Sequence, residues 1–234
     1  NSSTHVTTRR VFAIAGPAMI ANLTTPLIGI VSTTAIGRLD DAALLGGVAM
    51  ASVIFDCLFW LFAFLRMGTL AFTAQSLGAG ETRELHAILV RGLVLAGIVG
   101  LALIALQGPL SAILLGAMGG SEGVTRAART YFVVRIWSAP LVLANYVVLG
   151  WLIGQARARL ALGVQIAINV INMIATVLLV LAADFGIAGA AIAAVIAEAA
   201  GLAIGGVIAR RLTADHPPLS RAHLFARDSL QRML

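Results

Sequence analysis

Long apolar runs separated by short polar connections make up most of the chain. Because a helix needs roughly 20 apolar residues to cross a hydrocarbon core of about 30 Å, each of six runs can form one span. No run alternates apolar and polar residues with a period of two, so the pattern favours helices over a transmembrane barrel. We predict an all-α, polytopic membrane protein with six transmembrane helices. The predicted spans are residues 10–36, 45–72, 85–106, 125–153, 160–182 and 187–209.

The connections are short and rich in turn residues, which leaves no room for a soluble domain. The first run is too long, and too polar at its centre, for a cleaved signal peptide, so we count it as a span. After Pro217 and Pro218 the tail alternates basic and apolar residues, as interfacial helices do. We expect residues 1–212 to form a six-helix transmembrane lobe and residues 213–234 to form a cytoplasmic linker and the start of an interfacial helix.

Small residues recur at four-residue steps along the sixth predicted span. Such ridges let helix backbones approach closely in lipid, so we expect this helix to pack against its neighbours. The ridge consists of Gly189, Ala193, Ala197, Gly201 and Gly205.

Composition supports the membrane assignment, since 60% of the residues are hydrophobic, 11% are charged and the mean hydropathy is +0.99. The net charge is +6, and all 16 strongly basic residues are arginines. Arginines concentrate in the predicted N-terminus, second and fourth connections and C-terminus, which is the positive-inside pattern. We therefore expect both termini in the cytoplasm of a prokaryotic cell, the lipid bilayer as the main partner, and no nucleic-acid binding.

Three predicted spans place polar side chains along one helical face. Pro26 and Pro140 each remove a backbone hydrogen bond beside such a stripe. The stripes could hold helices together, at about 0.6 kcal/mol per contact, or line one polar cavity. For the three stripes together we favour the cavity, lined by the first, fourth and fifth spans. Its candidate residues are Asn22, Thr25 and Ser32, then Asn145, then Gln165, Asn169, Asn172 and Thr176.

Charged residues inside the spans are a sharper signal, because each costs at least about 2.5–3.5 kcal/mol at the bilayer centre. Arg66 and Arg135 lie near the ends of the hydrophobic runs, so we expect structural roles with their guanidinium groups reaching an interface. Asp56 and Glu198 lie deeper. Either acid could carry a proton or pair with an arginine on a neighbouring helix.

An enzyme is not expected. An intramembrane enzyme needs a nucleophile with its base, or metal ligands, inside the bilayer. The four histidines lie in connections or tails, and Cys57 has no basic partner nearby in the sequence. We predict no cofactor and no metal site, with Na⁺ or H⁺ as a possible coupling ion only.

Several strings together resemble the multidrug and toxic compound extrusion (MATE) family in its DinF-like branch. They include "FLRMGTLAFTAQSLGAG", "RIWSAPLVLANYVVLGWLIGQARAR" and "GIAGAAIAAVIAE", and they follow the family order. The resemblance implies two six-helix lobes around a central cavity, through which organic cations or drugs leave the cell in exchange for protons or sodium. It also implies that this sequence holds the N-terminal lobe alone, which needs either a C-terminal lobe or a second copy to alternate access.

The sequence departs from the family pattern at two positions. Ser32 and Thr176 stand where the resemblance implies aspartates that help to bind the coupling cation or proton. Hydroxyls do not titrate near neutral pH and are weak neutral ligands. Coupling could therefore have moved to Asp56 or to Glu198, which belongs to the family string "VIAE", or this lobe binds no ion.

Two other functions remain open from the sequence. A lipid-linked sugar or polysaccharide flippase of the same superfamily would need an arginine-lined cavity, and Arg66 and Arg135 are few for that purpose. A half-size membrane bundle that does not transport is the other alternative.

Overall fold

The structure is a computed structural model that describes residues 26–39 and 41–214. This part of the chain is built from α-helices and contains no strand. A 3₁₀ turn at Ile136–Ser138 separates α6 from α7, and a π-helical segment at Leu178–Ala182 prolongs α8. The helices are α1 (Pro26–Gly37), α2 (Ala42–Leu61), α3 (Phe64–Gly78), α4 (Thr82–Ala105), α5 (Gln107–Met118), α6 (Glu122–Arg135), α7 (Ala139–Gly154), α8 (Ala158–Val177) and α9 (Gly186–Thr213).

Five helical segments of the described chain are long and apolar enough to cross a membrane. They correspond in order to the second to sixth predicted spans, so the all-α membrane fold is confirmed. The first predicted span is described only from Pro26, as α1. Asn22, Thr25 and most of the predicted linker lie outside the described residues. The five segments are Ala42–Gly78, Thr82–Ala105, Glu122–Gly154, Ala158–Ala182 and Gly186–Thr213.

One helix was not predicted. The short apolar helix α5 occupies what the sequence analysis treated as part of the third connection. Gly108 and Pro109 interrupt the apolar run there, yet proline is tolerated in a first helical turn, where its missing N–H has no partner to lose. The helix ends at Gly119, whose φ of 63° is a left-handed conformation that glycine adopts without a steric penalty.

The helix α7 lies at the centre of the lobe and contacts α2, α3, α4, α8 and α9. Glycines bring α3 very close to it: a Cβ atom on Gly154 would lie 2.7 Å from the Leu70 carbonyl oxygen. Trp151 is buried beside them, and its indole N–H donates a hydrogen bond to the Leu85 carbonyl oxygen at 2.7 Å. These contacts fix α7 against α3 and α4.

The predicted small-residue ridge of α9 is confirmed, since all five of its members are buried. Gly205 approaches Val148 of α7, where an added Cβ would lie 2.7 Å from Val148 Cγ1. The ridge thereby lets α9 approach α7 and α8, with which it packs. This close packing brings a residue of α9 to the wall of the cavity described next.

Candidate functional site

A cavity of about 470 Å³ opens among the second, fourth, fifth and sixth spans. All four charged residues that the sequence analysis found within the spans line this cavity. Two carboxylates and two guanidinium groups give its wall a formal charge of zero. The polar and aromatic lining residues are Asp56, Phe59, Trp60, Arg66, Arg135, Asn145, Tyr146, Gln165 and Glu198.

Glu198 of α9 is held by Asn145 of α7. The Asn145 Nδ2 atom donates to the Glu198 carboxylate Oε2 at 2.7 Å and to the Glu198 carbonyl oxygen at 2.9 Å. Gly201, one turn further along α9, makes the approach possible, because a Cβ there would lie 3.3 Å from Asn145 Nδ2 and would also meet Ile168. Charge-assisted hydrogen bonds of this kind are stronger than neutral ones.

Arg135 ends α6 and projects its guanidinium group over two rings of α2. Its Cζ atom lies 5.7 Å from the centroid of Phe55 and 5.6 Å from that of Phe59, within the range of cation–π attraction. The same group interacts electrostatically with Asp56 and with Glu198. From the sequence, Arg135 and Arg66 were expected to have structural roles near an interface, but both line the cavity.

The bend between α6 and α7 positions Arg135. Pro140 lies in the first turn of α7, just after the 3₁₀ turn that interrupts the fourth span. The Ser138 hydroxyl donates to the Arg135 carbonyl oxygen at 2.8 Å and accepts a hydrogen bond from the Arg135 guanidinium group. The proline that the sequence analysis singled out therefore coincides with a real break in the helix.

Aromatic residues of the cavity were missed by the sequence analysis. The Tyr146 side chain lies within electrostatic range of all four charged residues, and Trp60 and Phe59 form part of the same wall. A search for aromatic residues within one helical turn of an intramembrane polar residue would have found them: Tyr146 follows Asn145, and Phe59 and Trp60 lie one turn after Asp56.

The polar stripe of α8 divides into two hydrogen-bonded pairs. Gln165 Nε2 donates to Asn169 Oδ1 at 3.1 Å, and Gln165 lines the cavity. About two turns further on, the Thr176 hydroxyl donates to Asn172 Oδ1 at 3.3 Å. Thr176 is completely buried, and neither member of this second pair lines the cavity.

The lining of this cavity differs in part from the predicted one. We expected the first, fourth and fifth spans; among the described residues, the second and sixth spans line this cavity together with the fourth and fifth, and residues 26–36 do not. Ser32 on α1 is half-buried and lies outside the lining, as do Asn169, Asn172 and Thr176. A stripe shows which face of a helix turns inward but not which helices become neighbours. A search for polar stripes does not detect single charged residues on otherwise apolar helix faces, such as Asp56 and Glu198.

The chemistry of this wall suits binding better than catalysis. Carboxylates, amides and aromatic rings can together hold a cation. Within residues 26–39 and 41–214, no group of three or more histidine, cysteine, aspartate or glutamate side chains is placed to bind a metal ion.

A family model described as MatE matches residues 17–178. The chain belongs to the MatE family. This MatE chain is 41% identical to the DNA damage-inducible protein F of Escherichia coli (strain K12) over 85% of its own length and 43% of that protein. It is 33% identical to a probable multidrug resistance protein NorM of Caulobacter vibrioides over 71% of its length and 35% of that protein.

Solved MATE structures share the fold. A MATE protein in the straight conformation superposes with a TM-score of 0.81 at 22% identity, covering 96% of this chain and 50% of that one. An outward-facing multidrug resistance MATE transporter of the MOP superfamily gives a TM-score of 0.80 at 22% identity, with coverages of 94% and 49%. The MatE chain thus spans about half the length of the relatives it matches. Like other members of this transporter family, it is a multi-pass inner-membrane protein and not an enzyme.

Proposed function

We propose that this chain is the N-terminal lobe of a MATE-type secondary antiporter that exports organic cations or drugs in exchange for protons or sodium. The observation that carries the proposal is the cavity in which Asp56 and Glu198 lie beside aromatic rings. Carboxylates attract the charge of an organic cation, and rings attract its flat or apolar body.

The size of the cavity supports a small-molecule ligand. Pockets for drug-sized molecules span about 300–1,000 Å³, and the volume here is about 470 Å³. Trp60 is exposed at the cavity wall, which leaves its ring available to stack on a planar ligand. Asn145 and Gln165 add neutral hydrogen-bonding groups that can orient a ligand without adding charge.

Coupling to an ion in this lobe passes through Asp56 or Glu198. Ser32 and Thr176, which replace the acids that the family pattern implies, cannot exchange a proton near neutral pH. The buried Thr176 hydroxyl is already committed to Asn172. The alternative is that the coupling ion binds only in a second lobe.

Transport requires a second body. Alternating access works by rocking one half of a transporter against another around a shared site. Several large apolar side chains of α2 and α3 are exposed in the single lobe, among them Val53, Leu61 and Phe64. We propose that lipid and a second six-helix lobe, supplied by a C-terminal half or by a second copy, cover this surface.

The test is export of ethidium from cells that express the two-lobe gene product. We expect export by the parent and loss of export in an Asp56→Asn, Glu198→Gln double variant. Cys57→Ser is the matched control, because Cys57 is exposed beside Asp56 but lies outside the cavity lining. Parental export by the double variant would contradict the proposal. Export by the 234-residue chain alone would show that two copies suffice.

A flippase for a lipid-linked sugar or polysaccharide is the second candidate. The observation in its favour is that Arg66 and Arg135 both line the cavity, where they could hold a pyrophosphate or an acidic sugar. Binding of inorganic pyrophosphate to the purified lobe, with no binding of ethidium, would favour this candidate. Binding of neither ligand, together with no export, would leave a bundle that does not transport.

A further inference from the structure

The cavity already contains a cation of its own. The Arg135 guanidinium group lies over the rings of Phe55 and Phe59, at 5.7 and 5.6 Å from their centroids. It also interacts electrostatically with the carboxylates of Asp56 and Glu198. Phe59, Asp56 and Glu198 line the cavity, so an organic cation there would seek the same ring and the same carboxylates.

Arg135 makes these interactions without a tight ion pair. In the part of the chain that the structure describes, the ion pairs within 4.0 Å are Arg91 with Glu84 and Arg126 with Glu122. Arg135 attracts the two acids of the cavity from beyond 4.0 Å. A ligand can therefore replace its charge without breaking a direct salt bridge.

The position of Arg135 in the fold also permits displacement. It is the last residue of α6, directly before the 3₁₀ turn, and its side chain is half-buried. Its guanidinium group donates to the hydroxyl of Ser138, three residues further on, so one of its partners belongs to the same turn. A long, flexible side chain at a helix end can swing away while its backbone stays in place.

We propose that Arg135 is a resident competitor, so that an organic cation binds by displacing the guanidinium group from the neighbourhood of Asp56 and Glu198. Arg135 then sets the affinity of the cavity and selects cations with an aromatic body over small inorganic ions. It also keeps the carboxylates neutralised once the ligand has left. This inference rests on the proposed cation-binding function and adds a specificity-determining residue to it.

The main test is ethidium binding to the purified two-lobe protein, followed by fluorescence titration. We expect Arg135→Gln to bind ethidium about 10-fold more tightly than the parent, equivalent to about 1.4 kcal/mol. Arg135→Lys keeps the positive charge, so its affinity should stay within about threefold of the parent value. Arg66→Gln is the matched control, because it removes the same charge from the same cavity; we expect a gain of less than about threefold.

A second variant tests the same idea without touching the cavity wall. Ser138 is fully buried and does not line the cavity, but its hydroxyl holds the Arg135 guanidinium group. Ser138→Ala removes this hydrogen bond, so the Arg135 guanidinium group should be displaced more easily. We expect about threefold tighter ethidium binding. This variant keeps the proposal testable if Arg135→Gln does not fold.

Methylguanidinium in solution separates competition from a structural role. Added at millimolar concentration to Arg135→Gln, it should weaken ethidium binding back toward the parent value by occupying the vacated position. It should change the affinity of the parent by less than about twofold. A side chain that only supported the fold would give no such rescue.

The outcomes distinguish this inference from the function on which it rests. Equal gains for Arg135→Gln and Arg66→Gln would overturn the inference, because net charge alone would then set the affinity. Weaker binding by both Arg135→Gln and Ser138→Ala would overturn it as well, while the cation-binding function would survive. Failure of the parent and of every variant to bind ethidium would overturn both.

Discussion

Two polar regions of this lobe differ in charge and in how their polar groups are satisfied. Around the cavity, Asp56, Arg135 and Glu198 interact across three different spans. Further along α8, the Asn172 amide and the Thr176 hydroxyl bond to each other within one helix. The first region is open and charged, whereas the second is neutral and lies outside the cavity.

The contrast indicates where ionic chemistry resides in this chain. In the neutral pair, the Thr176 hydroxyl already has a partner one helical turn away. Charges at membrane depth are expensive and must be balanced by partners or by a ligand. The resemblance directs attention to Ser32 and Thr176, but Asp56, Arg66, Arg135 and Glu198 lie around the other region.

A bulky side chain between α8 and α9 should have the largest effect, because it would disrupt the packing beside the charged cavity. Gly201→Leu would force a side chain against Ile168 and Asn145, and we expect a loss of about 3 kcal/mol in stability, as overpacking brings. Gly206→Leu is the matched control on the same helix, since nothing lies within 4 Å of its Cβ position. Thermal unfolding in detergent measures both. Equal stability of the two variants would contradict the packing described for α9.

Removing the charge of Glu198 should weaken cation binding strongly. Glu198→Gln keeps an oxygen that can accept from Asn145 but loses the negative charge, so the variant isolates electrostatics from hydrogen bonding. We expect ethidium affinity to fall about 30-fold, or about 2 kcal/mol. Isothermal titration calorimetry gives the affinity directly. An unchanged affinity would return Glu198 to a packing role.

Removing the charge of Asp56 should have a smaller effect in the same direction. Asp56 is exposed at the cavity wall, where solvent screens its charge more than that of Glu198. For Asp56→Asn we expect about fivefold weaker ethidium binding, or about 1 kcal/mol. A larger loss than for Glu198→Gln, in the same calorimetric experiment, would show that Asp56 is the principal carboxylate.

The neutral region should respond least. Thr176→Val keeps the volume of the side chain and removes only the hydrogen bond to Asn172, so we expect a stability loss of about 0.6 kcal/mol. Ethidium affinity should stay within twofold of the parent. Tenfold weaker binding would mean that the polar pair of α8 takes part in ligand binding.

Much of the fold could be predicted from hydropathy, because burial in lipid demands long apolar helices. The second to sixth spans lie close to their predicted positions, and the ridge around Gly201 marks a packed helix face. The helix α5 was missed because Gly108 and Pro109 interrupt a run that is itself too short to span a bilayer.

The site was predictable only in part. Asn145, Gln165 and the four intramembrane charges could be selected from the sequence, since polarity at membrane depth is rare. Their common cavity could not, because which helices become neighbours depends on close approaches such as that of Gly201 to Ile168. Arg135 lies over two rings and interacts electrostatically with two acids. This arrangement likewise arises only from the packing of α2, α6 and α9.

The most direct test of the central claim is a structure of the purified protein with tetraphenylarsonium, whose arsenic atom is located by anomalous scattering. The claim is that cations bind in the charged cavity and not beside the hydroxyls that replace the family acids. We predict an arsenic peak between Asp56 and Glu198, with the Arg135 guanidinium group displaced from the rings of Phe55 and Phe59. A peak beside Asn172 and Thr176, with the cavity of the same crystals unoccupied, would contradict it.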